Sequence, residues 1–243
     1  MAGPTAAELL WGVPQAPRRG PKPSLTLDRI VAEAIALADA EGLANLSMAR
    51  LAERLGCAKM ALYRYVPGKS ELAALMLDTA FGPAPEVAAA LPDSPEPWRE
   101  YLAVWAVTAF NRYRAHPWAL ELTTGPRPIG PNELNWLETA LAALDGSSLT
   151  GPERLDSAVL LLGHVRSLVQ QVGSATEDDD TEGQLAREIG AILTAHGDSF
   201  PRVAAAFADQ AEQTDPNAGR NDALRFGIDR ILDGIAAYVS ARK

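Results

Sequence analysis

The chain has 243 residues, 47% of them hydrophobic, a net charge of −9 and a single cysteine. One cysteine excludes an intramolecular disulfide framework and a cysteine-based zinc cluster, and there is no run of about 18 apolar residues to span a membrane. The first 15 residues, MAGPTAAELLWGVPQ, lack the basic and apolar regions of a secretory signal, so we expect a cytoplasmic protein with no membrane partner.

Residues 1–24 are rich in proline, glycine and alanine, a composition that predicts a flexible N-terminal arm. Arg18, Arg19 and Lys22 make this arm basic directly before the first predicted helix. Two interpretations stay open: the arm clamps DNA phosphates or the minor groove, or it is a solubilising tail.

A helix is predicted from Thr26, a suitable N-cap, to Gly42, which favours helix ends. Two short helices joined by a tight turn at Gly56 follow over residues 46–69, LSMARLAERLGCAKMALYRYVPGK. Ser47 is the expected N-cap of the first short helix. The apolar stripe of that helix consists of Met48, Leu51, Ala52 and Leu55.

The second short helix has two distinct faces when successive side chains are placed about 100° apart. The apolar face consists of Ala58, Leu62, Tyr65 and Val66. The opposite face consists of Lys59, Met60, Tyr63 and Arg64. Such a face suits the helix of a helix-turn-helix that enters the major groove, because its cations and hydroxyls bind phosphates and base edges. A solvated amphipathic helix is the less favoured interpretation, since the turn, the helix lengths and the flanking segments agree with DNA binding.

Basic residues are concentrated in the same region. Residues 18–69 contain nine lysines and arginines against five acidic residues, so this window has a charge of +4 and the remainder −13. The asymmetry predicts a DNA-facing surface on an acidic body.

Residues 25–81 resemble the DNA-binding domain of the TetR family of bacterial transcriptional regulators. The matching segments are LTLDRIVAEAIALADAEG, LSMARLAERLG and MALYRYVPGKSELAALMLD, and the pattern LYRYV-x-x-K-x-x-L is specific. The resemblance implies a double-stranded DNA operator as partner. The residues expected at the DNA are Ser47, Met48, Arg50, Lys59, Met60, Ala61, Tyr63, Arg64, Tyr65 and Lys69.

Lys69 precedes a fourth helix over residues 70–81, and a lysine beside a helix N-terminus is well placed for a DNA phosphate. We expect this helix to link DNA contact to the second domain. Ala61 stands where many relatives of the family carry a polar residue, which removes one possible base or phosphate contact.

Residues 82–243 are predicted to form a second, helical domain after a proline-rich linker over residues 82–97, so the expected fold class is all-α. In the family this domain resembles a small-molecule sensor, and a sensor cavity is apolar with a few polar groups. The candidates for binding a small hydrophobic or aromatic inducer are Trp98, Tyr101, Trp105, His116, Trp118, Asn135, Trp136, His164 and Gln170. Ordinary core packing is the alternative, and for His164 it is the preferred interpretation.

Two helices of the second domain carry apolar stripes. In the family two such helices from each subunit usually form a four-helix homodimer interface. The candidates are Leu155, Val159, Leu162, Leu224, Ile228, Ile231 and Ile235. Packing of both stripes inside the protomer is the alternative, but a two-fold operator needs a two-fold protein, which favours the dimer.

Residues with catalytic or metal-binding chemistry are sparse. The acidic run at residues 177–180 lacks the interleaved spacing of a calcium loop, so we expect a solvated loop and neither metal nor cofactor. Cys57 is expected to be a small apolar filler rather than a redox sensor. Three histidines and one cysteine, with no acid–base constellation at helical spacing, argue against an enzyme.

These features together predict a ligand-responsive transcriptional regulator, a repressor that binds a palindromic operator as a homodimer. We expect the inducer to shift the recognition helices between two arrangements, with the helix at residues 70–81 as the moving link. The alternative is a DNA-binding regulator without a ligand, whose cavity is filled by its own tryptophans.

Overall fold

The computed structural model describes residues 4–12, 25–86, 96–172, 181–212 and 218–242. These residues form helices and loops with no β-strand, which confirms the all-α prediction. The helices are α1 (Ala6–Leu10), α2 (Leu27–Glu41), α3 (Met48–Arg54), α4 (Lys59–Leu62), α5 (Lys69–Phe81), α6 (Pro97–Ala115), α7 (Ala119–Leu122), α8 (Pro131–Ala143), α9 (Gly151–Val172), α10 (Thr181–His196), α11 (Pro201–Glu212) and α12 (Ala218–Ser240). The predicted basic cluster of Arg18, Arg19 and Lys22 and the acidic run at residues 177–180 lie outside the described residues.

Helices α2 to α5 form a small domain around an apolar core. The hydroxyls of Thr26 and Ser47 cap α2 and α3 by accepting hydrogen bonds from backbone N–H groups at 3.2 and 3.3 Å. Gly56 has a φ of +64° between α3 and α4, a left-handed conformation that favours glycine. The fully buried side chains of this core include Ile30, Leu37, Leu51, Leu62 and Leu72.

Helix α5 lies between the two halves of the protein and packs on both. It contacts α2 on one side and α6, α7 and α8 on the other. Near its C-terminal end, the ring of Phe81 lies edge-on to Tyr113 and to Trp136, with centroids 4.9 and 5.7 Å apart. A movement of α5 therefore reaches both domains.

The second domain is organised around α6 and α9, against which α8 and α12 pack. Leu102 and Trp105 of α6 and Leu161 of α9 are fully buried in this core. Helices α10 and α11 pack on each other, and Ile192 of α10 and Phe200, which directly precedes α11, are exposed. No helix in the described part of the chain combines the length and the apolar character needed to cross a membrane.

The N-terminal segment differs from the prediction of a flexible arm. Residues 4–12 contain α1, which packs on α5 and begins with a reciprocal capping box between Thr5 and Glu8. Ala6 is buried, and the indole N–H of Trp11 donates to the carbonyl of Ile129 at 3.1 Å. The prediction is wrong for this stretch because local capping and tertiary burial outweigh a composition rich in proline and glycine.

Candidate nucleic-acid interface and sensor domain

The second helix of the predicted helix-turn-helix is shorter than the sequence suggests. Helix α4 is a single turn, and the backbone N–H groups of Tyr65 and Val66 both donate to the carbonyl of Leu62, at 2.8 and 2.9 Å. Pro67 disfavours the helical conformation for Val66, so this turn does not extend into a further helical segment. Tyr63, Arg64 and Tyr65 therefore lie in a turn after α4 rather than on a helix face.

Three side chains of the predicted DNA face point into solvent. Lys59 and Arg64 are exposed, and Met60 is 73% exposed although it is apolar. Tyr63 and Tyr65 are half-buried against the core, and the Lys59 ammonium lies 5.8 Å from the centre of the Tyr63 ring. Ala61 is also half-buried. The solvent-facing edge thus presents two cations and an exposed methionine.

Met48 does not belong to this face. Its side chain is only 7% exposed and lies in the core beside Leu51 and Ala52. It follows Ser47 directly, so it occupies the first position of the apolar stripe of α3 and points inward. Its placement at the DNA is therefore wrong.

Arg50 and Lys69 are exposed and make contacts within the same domain. The guanidinium of Arg50 pairs with Glu41 at 2.5 Å, and the ammonium of Lys69 donates to the carbonyl of Leu43 at 3.3 Å. Lys69 is the first residue of α5, where free backbone N–H groups favour an anion. Both cations lie near the turn that connects α2 to α3.

Three of the aromatic side chains predicted to bind a ligand are buried in the core of the second domain. Trp105 and Trp136 are buried, and their ring centroids lie 5.5 Å apart. The indole N–H of Trp105 donates to the carbonyl of Trp136 at 3.0 Å, and the indole N–H of Trp136 donates to the carbonyl of Gly82 at 2.9 Å. The Tyr101 hydroxyl donates to the carbonyl of Pro85 at 2.7 Å. The polar groups of these side chains are hydrogen-bonded within the protein, which agrees with the core-packing alternative, and contact of their rings with a ligand stays a prediction.

The other ligand candidates do not come together in one place. Trp98 is half-buried and Asn135 is exposed on α8. His164 lies against α12, with its Nε2 atom 3.2 Å from the carbonyl of Leu224. A Cβ atom added to Gly227 of α12 would lie 2.1 Å from that Nε2 atom. The imidazole ring of His164 therefore packs closely against α12, as the core-packing interpretation predicts.

Trp118, His116 and Gln170 lie at the junction of the two domains. The Trp118 indole donates to Asp39 Oδ1 at 2.6 Å, and His116 Nδ1 is 2.8 Å from the same oxygen. Trp118 and Gln170 also line a cavity of about 560 Å³. Asp39 was not among the predicted site residues. It is an exposed residue of α2, and nothing in the sequence around it indicates a contact with Trp118 or His116.

The two predicted dimer stripes behave differently. On α9, Val159 is 62% exposed, Leu155 is exposed and Leu162 is half-buried, so this stripe is free to meet a second protomer. On α12, most of the predicted stripe packs inside the protomer, and the prediction is wrong for the buried side chains. These are Leu224, Ile228 and Ile235, whereas Ile231 is half-buried.

Two exposed apolar side chains on the same two helices were missed, Leu160 of α9 and Phe226 of α12. Tyr238, which continues the predicted stripe of α12, is exposed as well. A helix such as α12 has apolar residues on more than one face, and the sequence pattern does not tell which of them faces the protomer's own core.

Two family models match the two halves of the chain. Residues 30–76 match the family model for bacterial regulatory proteins of the tetR family, and residues 91–239 match the tetracyclin repressor-like C-terminal domain. The chain is 37% identical over 239 residues to the HTH-type transcriptional repressor DrrR1 of Streptomyces coeruleorubidus, covering 97% of this chain and 86% of that protein.

The fold is similar to that of ActR from Streptomyces coelicolor. The apo crystal structure of ActR has a TM-score of 0.73 at 25% identity, covering 92% of this chain and 100% of that one. The complex of ActR with actinorhodin has a TM-score of 0.71 at 26% identity, covering 88% and 98%. The chain therefore belongs to the TetR family of bacterial regulatory proteins, which are DNA-binding regulators of transcription.

Proposed function

We propose that the chain is a repressor that binds a palindromic operator as a homodimer and is released by a small hydrophobic or aromatic molecule. The observation that carries the proposal is the exposed edge formed by Lys59, Met60 and Arg64 beside the N-terminus of α5. An apolar side chain that is 73% exposed between two cations is poorly explained by stability, whereas it suits contact with base edges between phosphates.

Each exposed residue has a distinct role in this proposal. Lys59, Arg64 and Lys69 bind phosphates, with Lys69 aided by the N-terminal N–H groups of α5. Met60 and Tyr63 reach toward base edges, and Ser47 holds the start of α3 in place through its cap.

Dimerisation is proposed through α9 and the outer face of α12. The exposed Leu155, Val159, Leu160 and Tyr238 supply an apolar surface for a second copy. Two copies related by a two-fold axis would each present the exposed edge of Lys59, Met60 and Arg64 to one half-site of an inverted repeat.

Release by a ligand is supported by the relatives. The 37% identical DrrR1 is described as a repressor, and ActR has been crystallised with actinorhodin bound. A ligand weakens operator binding only if it binds more tightly to the arrangement that does not fit the operator.

The experiment is selection of binding sequences from a random duplex library with the purified chain. An enriched inverted repeat, with affinity that falls steeply with salt, is the expected result. Absence of any enriched sequence would contradict the proposal, and an operator affinity unchanged by every cell metabolite tested would contradict its ligand-responsive part.

A further inference from the structure

The cavity at the domain junction is bounded by both halves of the protein. One wall is the C-terminal end of α2 and the turn after it, including Asp39 and Leu43. The opposite wall is formed by residues 117–124 and the last turns of α9, including Trp118 and Val169. Its volume of about 560 Å³ lies within the range of small-molecule sites.

The lining of the cavity is apolar and acidic. Leu43, Leu120 and Val169 supply apolar surface, and Asp39 and Glu121 supply carboxylates. Neither lysine nor arginine occurs among the described residues that line it, and no basic side chain of the described chain pairs with Glu121. A cavity of this kind favours a ligand that has an apolar body and a positive charge.

We propose that this cavity binds an organic cation with an apolar body, and that this cation is the effector of the repressor; the second part rests on the proposed function above. The ammonium group lies between Asp39 and Glu121, and the apolar body packs against Leu43, Trp118 and Val169.

Asp39 gives the site its connection between the domains. Its Oδ1 atom accepts from the Trp118 indole at 2.6 Å and lies 2.8 Å from His116 Nδ1, so one carboxylate of α2 holds two residues of the second domain. An ammonium group beside Asp39 competes with these contacts. Binding therefore loosens the polar contact between α2 and the segment before α7.

The turn after α2 carries this change toward the DNA face. Leu43 lines the cavity, and its carbonyl accepts a hydrogen bond from the Lys69 ammonium at 3.3 Å. The short 3-10 helix Leu43–Asn45 leads directly to Ser47, the cap of α3. A ligand that displaces Leu43 thus moves a phosphate-binding lysine and the start of the helix-turn-helix together.

The test uses two probes of the same shape and opposite charge, naphthylethylamine and naphthylacetate, titrated into the purified full chain by calorimetry without DNA. We expect the amine to bind and the carboxylate to bind at least about tenfold more weakly. Glu121 is exposed, so Glu121→Gln leaves folding intact, and we expect it to weaken amine binding by about tenfold.

The matched control is Glu138→Gln, which removes the same charge from an exposed position on α8 outside the cavity and should leave binding unchanged. Gln170→Trp, which fills the cavity from an exposed position on α9, should abolish amine binding. Equal affinity for the two probes, binding of neither, or a Glu121→Gln variant that binds like the wild type would overturn the assignment of the cavity.

The effector role is tested separately, by measuring affinity for an enriched operator duplex with and without the amine. The amine should lower operator affinity of the wild type but not of Gln170→Trp. An amine that binds in the cavity without changing operator affinity would overturn the effector role alone. Absence of an enriched operator would instead refute the proposed function, while the calorimetry would still decide whether the cavity binds cations.

Discussion

The carboxylate of Asp78 caps a helix of the second domain, accepting hydrogen bonds from the backbone N–H of Asn132 at 2.9 Å and of Glu133 at 3.1 Å. Asp78 is a buried residue of α5, and the two N–H groups belong to the first turn of α8. Burial raises the pKa of Asp78, and the hydrogen bonds from α8 oppose that rise. The helix that begins at the candidate DNA-binding Lys69 is thus anchored at its other end to the second domain.

Gly130 lies directly against the Asp78 carboxylate, so this cap leaves no room for a side chain at position 130. A Cβ atom there would lie 2.2 Å from Asp78 Oδ1, closer than any packed carbon atom can approach. We expect Gly130→Ala to lower the free energy of unfolding by about 1–3 kcal/mol in chemical denaturation, because the cap must shift to make room. Gly151→Ala, where the added methyl meets open space, is the matched control and should cost nothing. Equal stability of the two variants would show that the cap is looser than its distances indicate.

Met48 and Met60 provide a matched pair of the same residue type in opposite environments. Met48 is 7% exposed and Met60 is 73% exposed. We expect Met48→Ala to lower the free energy of unfolding by about 2–5 kcal/mol, because it leaves a cavity in the core. Met60→Ala should stay within about 0.5 kcal/mol of the wild type and change operator binding instead. Similar stability losses in both variants would refute the assignment of Met60 to the DNA face.

Lys59 is expected to bind a DNA phosphate. Lys59→Ala should weaken binding to all duplexes by a similar factor and reduce the slope of log affinity against log salt by about one. Arg202→Ala removes the same charge from an exposed site on α11 and serves as the control, since it should leave the slope unchanged. A Lys59→Ala slope equal to that of the wild type would mean that this lysine does not reach the backbone.

Glu153 joins the start of α9 to the end of α12. It accepts from the Thr150 backbone N–H at 2.7 Å and from Arg242 and the Tyr238 hydroxyl at 2.8 Å each. These hydrogen bonds, that of the Thr150 N–H foremost, lower the pKa of Glu153 to about 2.

Because the folded-state pKa lies below the ordinary value of 4.5, the contribution of Glu153 to stability is full above that pH. It is lost as the pH falls toward about 2, where the folded-state carboxylate is protonated. We expect the difference in Tm between the wild type and Glu153→Gln to be largest near neutral pH and to shrink through this window. A difference that stays constant across it would contradict the ion-paired geometry.

Local sequence signals predicted the ends of the helices well. Thr26 and Ser47 are the N-caps of α2 and α3, and Gly42 ends α2 with a φ of +80°. These features depend on residues within a few positions of one another, so the sequence contains them. The one-turn length of α4 escaped prediction because the apolar spacing continues through Val66 although the helix does not.

Contacts between distant parts of the chain were beyond the sequence pattern. Trp118 bonds to Asp39, 79 residues away, and no periodicity signals such a pair. Trp105 and Trp136 look like ligand residues in the sequence because the carbonyls that satisfy their N–H groups come from tertiary packing. Ile228 and Phe226 on α12 are both apolar, and only the packed structure distinguishes the buried residue from the exposed one.

The most direct test of the central claim is the number of protomers bound to an enriched inverted-repeat duplex, measured by analytical ultracentrifugation. We expect two protomers on the intact repeat and a large loss of affinity when one half-site is scrambled. Val159→Asp, on the exposed stripe of α9, should abolish the two-protomer complex, whereas Val104→Asp, which changes another exposed valine on α6, should not. A single protomer bound with the same affinity to intact and half-scrambled duplexes would contradict the account.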